Sequence, residues 1–248
     1  MLNAVILSGD KNSAFSDGFS KALVTIRDKI MIEYVVGALK GCSAIDKIAV
    51  VGPVEKLRPH LGGKVDFFVE GKGGLLENAL EGMEVFKGSE RVLLLTCDIP
   101  FLTPEALEHF INECRKTNAD LCYPIVTREA NEMKFPGAKR TYARLREGTF
   151  TGGNLFYVNP AVVERSLGIA RQMIEYRKKP WKMCRVLGWD FVIRLLMGNL
   201  TIPGVEERVS KLLNMKVAAI NSPYPEIGND VDKESDLEMA RQFMENIG

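Results

Sequence analysis

The stretch RVLLLTCDIPFLTP, residues 91–104, decides how the rest of the chain is read. Val92 to Leu95 form a short apolar run, the pattern of a strand buried on both faces. The run ends in Asp98, followed by Ile99 and Pro100. Proline keeps the residue before it extended and cannot continue a central ladder. Asp98 is therefore expected at the carboxyl end of a buried strand, which is where ligands bind in open α/β sheets. A carboxylate there suits Mg²⁺, which takes one or two protein carboxylates and fills its other sites with phosphate oxygens and water. The alternative is a cap for the helix starting near Thr103, but Thr103-Pro104-Glu105 already makes a good helix N-terminus.

Outward from this strand, the chain alternates between two hydrophobic periods. Asn3–Ser8, Lys47–Val51, Val65–Val69 and Asp120–Val126 read as strands. Ile30–Leu39, Leu75–Phe86 and residues 103–116 read as helices. Such alternation implies βαβ units. The expected fold is α/β: three layers, a mostly parallel central sheet and helices on both faces. Residues 127–150 are charged and read as an excursion, and Gly152–Val158 returns as a strand. Residues 160–213 read as a helical insertion, with helices over 161–177, 181–197 and 205–213. A strand at 216–220 and a helix at 233–246 complete the chain, which is expected to be one domain over 1–248.

Composition narrows the function. The 248 residues are 46% hydrophobic and 26% charged with a net charge of +1, which gives no global reason to expect a nucleic-acid partner. Two histidines, His60 and His109, cannot build a multi-histidine zinc site and argue against a Ser-His-Asp hydrolase. Five scattered cysteines without a CxxC pair suit a reducing, cytoplasmic setting. No apolar run approaches the ~20 residues of a membrane span, and the one near the N-terminus is too short for a signal peptide. The segment KKPWK (178–182), with Arg185, Arg194, Trp181, Trp189 and Phe191, fits peripheral membrane contact. Packing on the protein's own core with solvated lysines is the commoner cause of such a pattern and the favoured reading.

Three loops carry the remaining chemistry. After the first strand, Leu7-Ser8-Gly9-Asp10-Lys11 opens a glycine-containing loop that Lys21 closes. Glycine lets backbone N–H groups approach an anion, and lysine adds a point charge. The loop is neither a Walker A nor a GxGxxG motif. Glu70-Gly71-Lys72-Gly73-Gly74 follows the third strand, where glycines admit a flat ligand or simply make a turn. Gly152-Gly153-Asn154 is either an acceptor-binding segment or a β-bulge. Near the C-terminus, Asn229-Asp230-Val231-Asp232 offers two carboxylates that share a side if the run is extended.

Three motifs in order resemble the GT-A-like nucleotidyltransferases, in particular the molybdenum-cofactor guanylyltransferase-like group. LSGDKNSAFSDGFSKALVTIRDKIMIEYVVGAL (7–39) is similar to that group's opening, L-A-G-G-x-x-x-R-M-G followed by K-A-L. CDIPF (97–101) resembles its aspartate motif, and VDKESDL (231–237) its late motif. The resemblance implies a Mg²⁺-dependent enzyme that moves an NMP unit from an NTP to a small phosphorylated acceptor and releases pyrophosphate. It implies Asp98 and Asp232 as metal ligands, with Lys21 and Asp98 as the catalytic pair. Leu7, Ser8, Gly9, Asp10, Lys11 and Lys21 would hold the phosphates. Glu70, Gly71, Gly73 and Gly74 would take base and ribose, and Gly153 and Asn154 the acceptor. Asp10 stands where the group has a second glycine, and Ala14 where it has an arginine, with Lys11 as the replacement charge. Those departures keep a non-catalytic nucleotide-binding regulator in play, and a GT-A glycosyltransferase is the third reading.

Overall fold

A computed structural model describes residues 1–9, 20–176 and 180–247. Leu2–Leu7 (β1) is apolar on both faces because the sheet it enters is covered on both sides. Past a single 3-10 turn at Lys21–Leu23, Thr25–Ile26 (β2) and Lys29–Ile30 (β3) form a small hairpin. Met31–Gly41 (α1) begins where the Glu33 carboxylate accepts the Ile30 N–H at 3.0 Å, relieving one of the first turn's unbonded donors. Ile45–Gly52 (β4), Val54–Leu61 (α2), Phe67–Glu70 (β5) and Leu75–Glu84 (α3) follow. The sequence reading leaves α2 out, because Pro59 interrupts its pattern. Buried Leu57 and Leu61 hold the short helix nonetheless.

Val92–Thr96 (β6) is the expected buried strand, and Pro104–Thr117 (α4) the helix after it. Thr103 caps α4, its hydroxyl accepting the Ala106 N–H at 3.2 Å. Leu121–Thr127 (β7) alternates buried and half-buried residues. The expected excursion over 127–150 needs correction. It contains Arg128–Lys134 (α5), Ala143–Leu145 (β8) and the start of Gly148–Gly152 (β9), and both strands join the sheet. β8 is a short edge strand with exposed Ala143 and Arg144, so it lacks the apolar alternation that marks a strand in sequence. Leu155–Val158 (β10) then enters between β6 and β7.

Pro160–Tyr176 (α6), Pro180–Leu187 (α7), Trp189–Leu196 (α8) and Ile202–Leu213 (α9) form the helical block. The single helix expected over 181–197 is broken at Gly188, whose φ of 92° no helix accommodates. α8 leaves Trp189, Ile193, Leu196 and Met197 exposed. Val217–Asn221 (β11) and Glu234–Ile247 (α10) end the chain.

The sheet runs β5-β4-β1-β6-β10-β7-β9-β8, with β11 parallel to β7. Among the described residues only β9 and β10 run against the other strands, so the sheet is mixed but mostly parallel. On one face Ala4, Ile6, Val50 and Leu93 pack with α1, α2 and α4. On the other, Val5, Leu7, Ala49 and Val51 pack with α3 and α6. This is the expected three-layer arrangement. A third cluster, with Ile26, Phe101, Val231, Leu237 and Ala240, fixes α10 beside the exit of β6.

The α3 layer lies unusually close. A Cβ at Gly82 would overlap the Val5 side chain and stand 2.8 Å from Val51 Cγ2. Gly82→Ala should therefore destabilise the protein by about 1–3 kcal/mol through overpacking, despite alanine's better helix propensity. Urea unfolding checks this, and an unchanged midpoint would show that α3 can shift outward freely.

Candidate active site

In-register pairs Leu7↔Val51, Leu7↔Thr96 and Gly52↔Glu70 bring the carboxyl ends of β1, β4, β5 and β6 to one edge of the sheet. Asp98 follows the end of β6 by two residues, and its carbonyl accepts the Val231 N–H at 2.8 Å. That bond lays residues 229–232 against the exit of β6. Asn229 and Val231 are buried, while Asp230 and Asp232 alternate with them on the other side. Asp98, Asp230 and Asp232 thereby bring one carboxylate oxygen each within 4.8 Å of the others.

Lys21 reaches into this group. Its Nζ lies 3.2 Å from Asp98 Oδ2 and also donates to Asp232 Oδ1, a residue 211 positions away in sequence. Burial works to lower the Lys21 pKa, but the charges of Asp98 and Asp232 more than offset it. They hold the ammonium well above the ordinary lysine range. Asp230 is pushed the other way from most paired carboxylates. Burial raises its pKa, with Asp98 and Asp232 adding to the rise, against the pull of Arg140.

The capping explanation for Asp98 loses force here, and the Asp232 side chain does not cap α10. Thr103 caps α4 without Asp98. At α10 the Asp236 carboxylate accepts the N–H groups of Asp232 and Lys233 at 3.1 and 3.2 Å, while the Asp232 side chain faces Lys21.

The other expected residues lie along the same edge. Leu7 ends β1, and buried Ser8 donates its hydroxyl to the Val51 carbonyl at 2.9 Å. A Cβ at Gly9 would overlap the Asn78 amide, and one at Gly71 would stand 3.4 Å from it. The Gly73 N–H donates to Asn78 Oδ1 at 3.3 Å. Asn78, buried on α3, thus packs against Gly9 and bonds the 70–74 loop. Sequence reasoning missed it, since one asparagine inside an amphipathic helix carries no signal of its own. Gly74 precedes α3 directly, and the Glu70 carboxylate accepts the Val54 N–H at 3.1 Å, at the start of α2. Asp10, Lys11 and position 14 lie outside the described residues.

On the far side of β6, Gly153 and Asn154 link β9 to β10. The Gly153 N–H donates to the Pro124 carbonyl at 2.9 Å and the Asn154 N–H to that of Ile227 at 3.1 Å. Among the described residues, Asn154 Nδ2, Asp98 Oδ1 and Thr96 Oγ1 are buried without a partner. Thr96 and Asn154 adjoin, since the Asn154 carbonyl accepts the Thr96 N–H at 3.2 Å, and Asp98 follows Thr96 by two residues. Neither His60 nor His109 belongs to this group, which is made of three carboxylates with the Lys21 ammonium and the Arg140 guanidinium. Such a set of charges can neutralise and position phosphates.

Comparison with known proteins bears on the family and the fold. The chain is 32% identical over 111 residues to a probable molybdenum cofactor guanylyltransferase of Trichormus variabilis, covering 44% of this chain and 51% of that one. It is 27% identical over 128 residues to the bifunctional protein GlmU of Prochlorococcus marinus, covering 49% of this chain and 28% of that one. The chain therefore spans about half or less of the curated relatives it matches. A hypothetical transferase from Thermus thermophilus superposes with a TM-score of 0.86 at 41% identity, over 95% of this chain and 99% of that one. A CMP:2-keto-3-deoxy-manno-octonic acid synthetase shares the fold, with a TM-score of 0.68 at 12% identity over the whole of both chains. The family model for the MobA-like NTP transferase domain matches residues 4–170, from β1 into α6, and the chain belongs to that family of nucleotidyltransferases.

Proposed function

We propose that this protein transfers an NMP unit from an NTP to a small phosphorylated acceptor, with release of pyrophosphate. The observation that carries the reading is the Lys21 ammonium set between Asp98 and Asp232 at the carboxyl edge of the sheet. In the reaction an acceptor oxygen forms a bond to the α-phosphorus and the bond to the pyrophosphate oxygen breaks. A phosphate monoester is largely ionised at neutral pH, so the attacking oxygen needs no general base. That agrees with a site built without histidine.

The donor set fits Mg²⁺: three hard carboxylates lie within 4.8 Å of one another, and Asp98 Oδ1 is buried with no partner. Asp98 and Asp232 would hold the ion, which when bound neutralises phosphate charge. Lys21 steadies the negative charge of the α-phosphate and of the departing pyrophosphate. The backbone of Leu7 to Gly9 cradles the phosphates, and Lys11, outside the described residues, is the candidate for the further charge. Residues 70–74, held by Asn78, take base and ribose, and Gly153 and Asn154 face the acceptor. The five cysteines are free and buried, which suits the reducing cytoplasm. Among the described residues no helix is long and apolar enough to cross a membrane.

The test is a melting series with each of the four NTPs, with and without Mg²⁺, followed by assay of pyrophosphate release with phosphorylated acceptors. One NTP should raise the melting temperature strongly only with Mg²⁺, since stabilisation grows as RT ln(1 + [L]/Kd), about 2.7 kcal/mol at a hundredfold excess over Kd. Equal shifts from an NMP and its NTP would favour a non-catalytic binding module, and a response to nucleotide sugars alone would favour glycosyl transfer.

A further inference from the structure

Arg140 has no part in the reading above, yet it enters the same carboxylate group. It lies in the loop between α5 and β8, and its Nη1 donates to Asp230 Oδ1. The two side chains are only 17% and 16% exposed. Two cations thus divide three carboxylates: Lys21 takes Asp98 and Asp232, and Arg140 takes Asp230.

The Arg140–Asp230 pair is framed from behind. The Tyr142 hydroxyl accepts from Asn131 Nδ2 at 3.1 Å, and Asn131 Oδ1 accepts from Asn229 Nδ2 at 2.7 Å. Asn131 and Asn229 are both buried. Tyr142 is two residues from Arg140, and Asn229 adjoins Asp230. One buried amide pair therefore places both partners. An ordinary surface ion pair, worth little by itself, has no such frame.

The guanidinium is also underused. Arginine carries five N–H donors in a rigid planar fork. Among the described residues, Arg140 Nε is buried with no partner. Buried donors are normally met, and an unmet one on an arginine fork marks a place where a ligand's acceptor oxygen completes the set. The fork matches phosphate and carboxylate oxygens two at a time.

We propose that Arg140 binds an oxyanion of the acceptor, a phosphate or a carboxylate, and that the Asp230 carboxylate fills this seat until the acceptor arrives. The proposal rests on the nucleotidyl-transfer reading of the neighbouring carboxylates, and it supplies what that reading lacks, a cation for the acceptor. An oxyanion seated on Arg140 lies one hydrogen bond from a carboxylate group that spans 4.8 Å, so it arrives beside the nucleotide rather than at a remote surface. Asp230 then also sets selectivity, since a neutral acceptor cannot displace a carboxylate from arginine.

The test uses inorganic phosphate and acetate as probes, titrated calorimetrically with EDTA present and ionic strength held constant with KCl. Asp230→Asn removes the competing charge and keeps the shape, and it should bind one of the two anions at least about tenfold more tightly than wild type. Asp230→Asn combined with Arg140→Gln should lose that gain. A gain with phosphate identifies a phosphorylated acceptor, and a gain with acetate a carboxylated one. No gain in Asp230→Asn, or a gain that survives Arg140→Gln, overturns the proposal. Should Asp230→Asn fail to fold, wild type is compared with Arg140→Gln alone, and equal affinities overturn it. These titrations contain no NTP and no Mg²⁺. Their failure leaves the nucleotide-dependent melting series standing, and failure of that series is read separately.

Discussion

Asp98→Asn should lower NTP-dependent pyrophosphate release by about 10²–10³-fold while leaving the fold intact. Asparagine keeps the shape of the side chain and removes its charge. Three consequences meet at that atom group. A carboxylate is lost from a cluster confined to 4.8 Å. Lys21 loses one of the two carboxylates it bonds in this cluster and keeps Asp232. The buried Oδ1 no longer offers a charged ligand to a cation. Stability should change little, because the Asp98 carbonyl, not its side chain, accepts the Val231 N–H that joins the two segments. Lys21 also retains one carboxylate partner, so no isolated charge is left behind. Paired measurements of turnover and urea midpoint check this. Wild-type turnover would take Asp98 out of the mechanism. A collapse of the midpoint would mean that the carboxylate holds the fold rather than the substrate.

How far the sequence leads can be judged residue by residue. β1 and β6 are legible because both are buried on two faces, and only parallel strands in a covered sheet show such uninterrupted apolar runs. The Thr103 cap is legible because its geometry is local, a hydroxyl three residues from the N–H it accepts. The meeting of Lys21 with Asp232 is not local at all. It became an expectation only through ordered motifs at both ends of the chain, since no periodicity joins residues 211 apart. Asn78 and Arg140 stayed hidden for one shared reason. Each is a common polar residue in a polar neighbourhood, and each acquires meaning only from what the fold sets against it. β8 was hidden because its residues carry edge-strand chemistry, charged and exposed, which a search for buried strands passes over. Gly188 shows the opposite limit: a glycine inside an apolar helical pattern gives no sign of whether the helix continues through it or breaks.

Lys21→Ala should move two measurements in opposite directions, and this separates a phosphate-binding lysine from a structural one. Without nucleotide, the Lys21 ammonium already sits between Asp98 and Asp232, where a divalent cation would be drawn. Its pKa is held above the ordinary lysine range, so at neutral pH it does not leave by losing its proton. A divalent ion must displace it instead. A unit charge about 4 Å away costs an incoming divalent ion roughly 2–8 kcal/mol between water-like and protein-surface screening. Removing the ammonium should therefore tighten Mg²⁺ binding to the nucleotide-free protein by about tenfold or more. Turnover should fall by about 10²–10³-fold in the same variant, because the cation that meets the α-phosphate and the leaving pyrophosphate is gone. Calorimetry with Mg²⁺ alone and a pyrophosphate-release assay read the two effects. A variant that binds Mg²⁺ more weakly than wild type would mean that Lys21 holds the carboxylates in place for the metal. A variant that binds Mg²⁺ more tightly and keeps full turnover would mean that the phosphates are met by another cation. Only tighter metal binding together with lost turnover fits a lysine that trades the carboxylates for the substrate's phosphates.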